Sequence, residues 1–284
     1  MMASDLQDLR QRLEAHLQQV AQPRDPDWSP LGHHQVERYI QEQLSRWGSL
    51  ESFPFEADGC LHRNWILKLP GSRSGRQPIL MGAHFDAAPA TPGADDNASG
   101  IAVLLELARH FAANPAPSPL WLVAFDLEER GMVGSRAYAQ FLQRQRQPLR
   151  LMLSLEMLGY RDPTPGSQRY PAGLEKLYPN RGDYIGLIGN WLTWGDLLKL
   201  QRSFQKAGIP CCWLLAGQRG LILPATRLSD HSPFWDAGYP AIMVTDTAFL
   251  RNPHYHKLSD TLETLDQDFL TGVCQGLMAG IRSL

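Results

Sequence analysis

Short, wholly apolar strands alternating with amphipathic helices leave this chain few architectures to adopt. PILMGAH, PLWLVAF, LRLMLSL and PAIMV each run apolar over consecutive positions, as strands buried on both faces of a sheet do, and CCWLL reads the same way. Between them, GIAVLLELARHFAA and SRAYAQFLQRQ carry the helical period, and the tail from Leu265 predicts a closing helix. Two more helices open the chain, since Leu6, Leu9, Leu13 and Leu17 share one helical face and Val36, Ile40, Leu44 and Trp47 another. Trp65, Leu67 and Leu69 alternate in NWILKLPG, the mark of a half-buried strand. The alternation predicts a three-layer α/β/α fold around a mixed, mostly parallel central sheet. Such folds commonly run to about 200–250 residues as one domain, so the 284 residues are expected to form a single domain (1–284). Residues 161–183, rich in Pro and Gly and without either period, predict a long surface insertion in it.

Charge narrows the partners. Lys plus Arg number 27 against 29 Asp plus Glu, a net charge of −2, and no basic run occurs, so bulk electrostatics favours neither nucleic acid nor an anionic membrane. No apolar stretch approaches the roughly 20 residues of a spanning helix. The opening MMASDLQDLRQRLEAHLQQV mixes charges among its leucines and lacks the apolar core of a secretory signal, so the expected location is cytoplasmic. Cys60, Cys211, Cys212 and Cys274 are too sparse for a disulfide framework and suit a reducing compartment.

Polar residues that break the apolar pattern gather just after predicted strands: His84 and Asp86, then Glu128 and Glu129, then Glu156. In an open parallel sheet the C-terminal strand ends meet along one crevice, so these segments are expected to converge. Asp95, Asp96 and Asn97 in GADDNASG precede a helix whose free amides favour carboxylates, and NPHYHKLSDT adds His254 and His256. Carboxylates crowded together repel and need a cation. Three liganding carboxylates plus a hydroxide carry a charge of −4, which two divalent ions cancel, and an imidazole–carboxylate set suits zinc.

Taken in order, HFD, GADDNASG, the acidic pair of DLEERG, LSLEMLGY and PHYHKLSDT resemble the zinc aminopeptidases of peptidase family M28, over residues 79–261 at least. The resemblance implies a zinc-peptidase fold and two zinc ions: His84 and Glu156 on one, Glu129 and His256 on the other, Asp96 bridging both. It implies Glu128 as the general base, taking a proton from a bridging water that attacks as hydroxide and returning it to the leaving amine. Asp86 would orient the His84 imidazole, and His231 in SDHSPFWDAG would line the substrate pocket. The substrates implied are peptides with a free N-terminus and an uncharged or hydrophobic first residue. Many family members carry Asp where Glu156 stands, and the bridge register, Asp96 rather than Asp95, follows the position just before Asn97.

Each element alone has a plainer reading. A histidine after a strand is more often a hydrogen-bonded structural residue, the glutamate pair fits a solvated turn, and GADDNASG fits a capped helix start. His254 reads as a surface residue, the sequon at Asn97 is discounted inside the metal motif, and Trp191, Trp194, Trp213 and Trp235 read as core more than as a platform. The absence of a G-x-S-x-G elbow, a P-loop and a dinucleotide fingerprint removes the serine hydrolase, nucleotide and NAD classes. Two rivals stay open: a glutaminyl cyclase-like aminoacyl transferase working with one zinc, and an inactive peptidase-fold binding protein.

Overall fold

The computed structural model describes residues 3–284. The N-terminal pattern folds as α1 (Ala3–Val20) and α2 (Pro30–Ser45), with Leu9, Leu13, Leu17, Val36, Ile40 and Leu44 buried. A hairpin follows, β1 (Leu50–Ala57) and β2 (Cys60–Leu69), turned at Asp58 and Gly59, both with positive φ, as a tight two-residue hairpin turn requires. Then come β3 (Ile79–His84), α3 (Gly100–Ala113), β4 (Leu120–Phe125), α4 (Val133–Arg144) and β5 (Leu151–Glu156). The second half supplies β6 (Ile185–Gly189), α5 (Trp194–Lys206), β7 (Cys211–Leu215), α6 (His231–Asp236), β8 (Ala241–Thr245) and α7 (Gln267–Ser283).

The eight strands form one sheet in the order β1-β2-β4-β3-β5-β8-β6-β7. Its centre is parallel: β3 lies between β4 and β5, and β5 pairs with β8. The hairpin joins β4 antiparallel on one side, and β6 joins β8 antiparallel on the other with β7 parallel to β6. One face buries against α1, α2, α3, α5 and α7 in a large apolar cluster; α4 and α6 cover the other. The layered, mixed and centrally parallel sheet is the architecture the alternation predicts.

Three elements had no counterpart in the expected order. β1 carries Pro54 and polar neighbours, which an edge strand tolerates. β6 (IGLIG) is short and glycine-interrupted. α5 was legible, because its buried Leu197, Leu200 and Phe204 stand at helical spacing. Trp191 and Trp194 correct the reading of the tryptophans as core: they start this helical stretch with 61% and 53% of their surface exposed, whereas Trp235 is buried.

Residues 161–183 form no helix or strand; an isolated bridge between Asp162 and Gly182 closes the base of the excursion. Among the described residues no helix is long and apolar enough to cross a membrane. The four cysteines are free thiols, and burial pushes Cys211 and Cys274 upward, so neither is poised as a thiolate.

Candidate metal centre

Parallel β3, β4, β5 and β8 end on one side of the sheet, so His84 at the tip of β3 faces Glu156 at the tip of β5 and the 126–132 turn that leaves β4. His84 Nε2 lies 3.2 Å from Asp96 Oδ1, 3.7 Å from Glu156 Oε2 and 4.0 Å from Glu128 Oε2. The other oxygen of Asp96 faces His256 Nε2 at 3.2 Å, and that nitrogen lies 3.0 Å from Glu129 Oε2. Two groups of potential ligands result, His84–Asp96–Glu156 and Asp96–Glu129–His256, each with its ligand atoms within 4.8 Å of one another. Asp96 belongs to both.

The loop before α3 is shaped for this. Gly93 is left-handed, the helical turn Ala94–Ser99 is kinked at Asp96 and Asn97, and the peptide between those two residues is cis. The backbone N–H groups of Asp95 and Asp96 donate to the two oxygens of Asp260. Capping of α3 falls to Asn97 rather than to the aspartates, because its Oδ1 accepts from Gly100 N and Met157 N while its Nδ2 donates to Leu155 O, tying the loop to the end of β5. Asp95 turns away from the two groups: it accepts from Gly159 N and Asn252 Nδ2 and carries a carboxyl raised well above the usual range by burial and by Asp246.

Asp86 does two things. Its Oδ1 lies 3.3 Å from His84 Nδ1, and its oxygens accept the backbone N–H groups of Glu128 and Glu129 at 3.1 Å each. One carboxylate thus sets the imidazole and the start of the acidic turn together. Glu156 receives the Ser229 hydroxyl at 2.7 Å, with Ser154 behind it at 3.0 Å. Ser229 and its fully buried neighbour Asp230 had escaped the sequence reading, though both stand in the SDHSPFWD segment beside His231. Burial, partly offset by His84, pushes Asp230 up to about 7. His231 is buried, bonded to Thr226 O at 2.8 Å and packed edge-on against Trp235, one layer behind the pocket described below. His254 is in neither ligand group; its Nδ1 meets Ser259 Oγ, while Tyr255 stacks on His256.

The electrostatics describe an acid-rich hollow that seeks positive charge. Burial would lower His84, yet Glu128, Asp86, Asp96 and Glu156 hold it well above its usual range. His256 is likewise pushed up to about 10 against its burial by Asp96 and Glu129. Burial raises Glu128 well above a normal carboxyl and, with Asp96, lifts Glu129 to about 7; Asp96 itself, against burial, is held low by His256 and His84. His84 Nε2 and Glu129 Oε1 are buried atoms without a hydrogen-bond partner. Nitrogen and oxygen donors in two groups of three, orphaned polar atoms and surplus negative charge fit a pair of divalent ions.

An apolar pocket, open to solvent, adjoins β6 and β7. Tyr170, Leu174 and Tyr178 of the 161–183 excursion wall it, with Trp213, Cys212 and Thr226 opposite.

Behind the acidic turn, Asp126 receives His33 Nε2 at 2.8 Å and His62 Nδ1 at 3.0 Å. Burial would lower His33 and raise Asp126, but each holds its partner charged, His33 above its usual range and Asp126 below. The raised His33 contributes stability that is full below its unfolded pKa, about 6.5, and is lost as pH rises through the folded value; Asp126 contributes above about 3.9 and loses it in acid. Asp126→Asn is therefore expected to cost on the order of 2–3 kcal/mol, most between about pH 4 and 6.5, by urea unfolding across pH. A pH-independent loss would show that the pair is not charged.

The profile of peptidase family M28 matches residues 64–279, and the chain belongs to that family. The uncharacterised protein YfbL of Escherichia coli is 38% identical over 214 residues, 70% of this chain and 65% of that protein. Aminopeptidase YwaD of Bacillus subtilis is 33% identical over 208 residues, 72% of this chain but 40% of its own length. The fold superimposes on the LapA aminopeptidase of Legionella pneumophila with a TM-score of 0.74 at 19% identity, over 98% of this chain and 72% of that one. Across the curated relatives named here, the chain spans 40–65% of their length.

Proposed function

We propose that the chain is a metal-dependent aminopeptidase that holds two zinc ions, one by His84 and Glu156, one by Glu129 and His256, with Asp96 shared. The observation that carries this reading is the Asp96 carboxylate, one oxygen facing each histidine at 3.2 Å. When bound, such a pair of ions lowers the pKa of a coordinated water and polarises the carbonyl under attack. Glu128 stands beside the ligands without belonging to either group, 4.0 Å from His84 Nε2, where a carboxylate can take the proton of the attacking water and give it to the leaving amine. Asp86 keeps that base and the His84 ring in register. The surrounding acidic side chains attract a free N-terminal ammonium, which a blocked peptide lacks.

Protein stripped by chelator and titrated with zinc is expected to recover cleavage of unblocked Leu- and Phe-initial dipeptides but not of their N-acetyl forms, saturating near two equivalents. Saturation at one equivalent with ring closure of N-terminal glutamine would replace the reading with the cyclase. Absence of zinc binding would leave a peptidase-fold binding protein.

A further inference from the structure

Arg24 is buried completely and points its donors at the backbone of the candidate centre. Its Nε donates to Phe85 O at 2.8 Å, the residue between His84 and Asp86. Nη1 donates to Pro92 O at 2.6 Å, and Nη2 to Gly93 O at 2.9 Å and Asp96 O at 3.3 Å, all in the loop that carries the shared aspartate. Nη1 also reaches Val20 O and Gln22 O, so the same guanidinium fastens the end of α1 to both loops. Every strong contact is to a carbonyl; Asp96, Asp260, Asp86 and Glu129 act on it through space.

The sequence clears room for this clamp. Gly93 has φ +55°, and a Cβ there would run into Asp96 O and stand 3.0–3.1 Å from the two Arg24 terminal nitrogens. A Cβ on Gly32 of α2 would collide with Pro23 O, so that glycine lets the arginine's segment lie against the helix. Arg24 also lies outside the residues matched by the family profile, which begin at residue 64.

We infer that Arg24 is a positioning residue: the segment before the matched region sets the spacing between His84 and Asp96 by spanning Phe85 O and the 92–96 loop with one rigid, charged fork, and so preorganises the two ligand groups. The inference rests on the metal reading for its benefit to binding, but the clamp itself does not. A planar guanidinium suits the task because it presents five donors in fixed directions; lysine, with one nitrogen, cannot reach both loops at once. Partners that orient ligands usually change metal affinity about 10–100-fold when lost.

The test compares wild type, Arg24→Lys and Arg24→Met. Leu13→Ala, a buried apolar α1 position that makes none of the Arg24 contacts, serves as the control for mere destabilisation. Two readouts are taken on folded protein: zinc affinity by competition with a chromophoric chelator, and amide exchange of residues 94–99 without metal. The expected result is zinc affinity lowered about 10–100-fold in Arg24→Met, less in Arg24→Lys, with faster exchange in the loop, while Leu13→Ala binds zinc as wild type does. Wild-type affinity and unchanged loop exchange in the Arg24 variants would overturn the inference. If wild type binds no zinc, the metal reading fails and loop exchange alone decides the clamp. If Arg24→Met does not fold, Arg24→Lys carries the comparison.

Discussion

Glu128→Gln is expected to lower kcat at saturating zinc by at least about 10²-fold while leaving two equivalents of zinc bound, because general acid–base catalysis by one placed side chain contributes roughly 10²–10⁴-fold. The substitution is nearly isosteric and removes only the ability to accept a proton. The backbone N–H of residue 128 still donates to Asp86, so the turn keeps its shape, and neither ligand group loses a member. KM should change little, since the base contributes most in the transition state. Glu129→Gln is the contrasting variant: it touches a ligand group, so its first effect falls on zinc affinity. Near-normal turnover in Glu128→Gln, with zinc bound, would remove the base assignment; loss of zinc in the same variant would make Glu128 a ligand instead.

The parts of the centre that were legible in the sequence are those whose function is local. His84, Asp86, Glu128, Glu129 and Glu156 follow apolar runs directly, and the strand-end rule of a parallel sheet is enough to bring them together. The choice of Asp96 over Asp95 came from position within a motif, and the geometry behind it is a kink that turns adjacent carboxylates in opposite directions, one toward two histidines and the other toward Gly159 N and Asn252. Arg24 was not legible: its partners around the centre lie 61–72 residues away and are backbone carbonyls, which carry no side-chain signature. Ser229 and Asp230 hid for a similar reason, since serine and aspartate ahead of a short helix first suggest a cap. The missed hairpin did carry a signal, Asp58-Gly59 between apolar residues, masked by Pro54 and the charges of an edge strand. Trp191 and Trp194 mislead in the opposite direction, because large apolar residues at the end of a helix need not face the sheet.

The second large effect separates the shared ligand from the private ones. Removing Asp96 leaves two ligand side chains in each group, His84 with Glu156 and Glu129 with His256, so Asp96→Ala is expected to weaken both zinc sites together. The loss should exceed the 10–100-fold typical of a mere supporting partner and take activity below roughly 10⁻³ of wild type. His256→Ala deprives only one group, and one equivalent of zinc should remain bound with near-normal affinity. Asp95→Asn keeps the shape of a residue that faces Gly159 N and Asn252, so it should disturb stability more than zinc binding. Isothermal titration of the three variants with zinc therefore gives a pattern of none, one and two strong equivalents. That pattern is the one expected when the two groups share the carboxylate of Asp96, since independent sites would each lose a ligand to a different substitution. Two strong equivalents in Asp96→Ala, or their loss in Asp95→Asn, would move the bridge to the neighbouring residue or dissolve it.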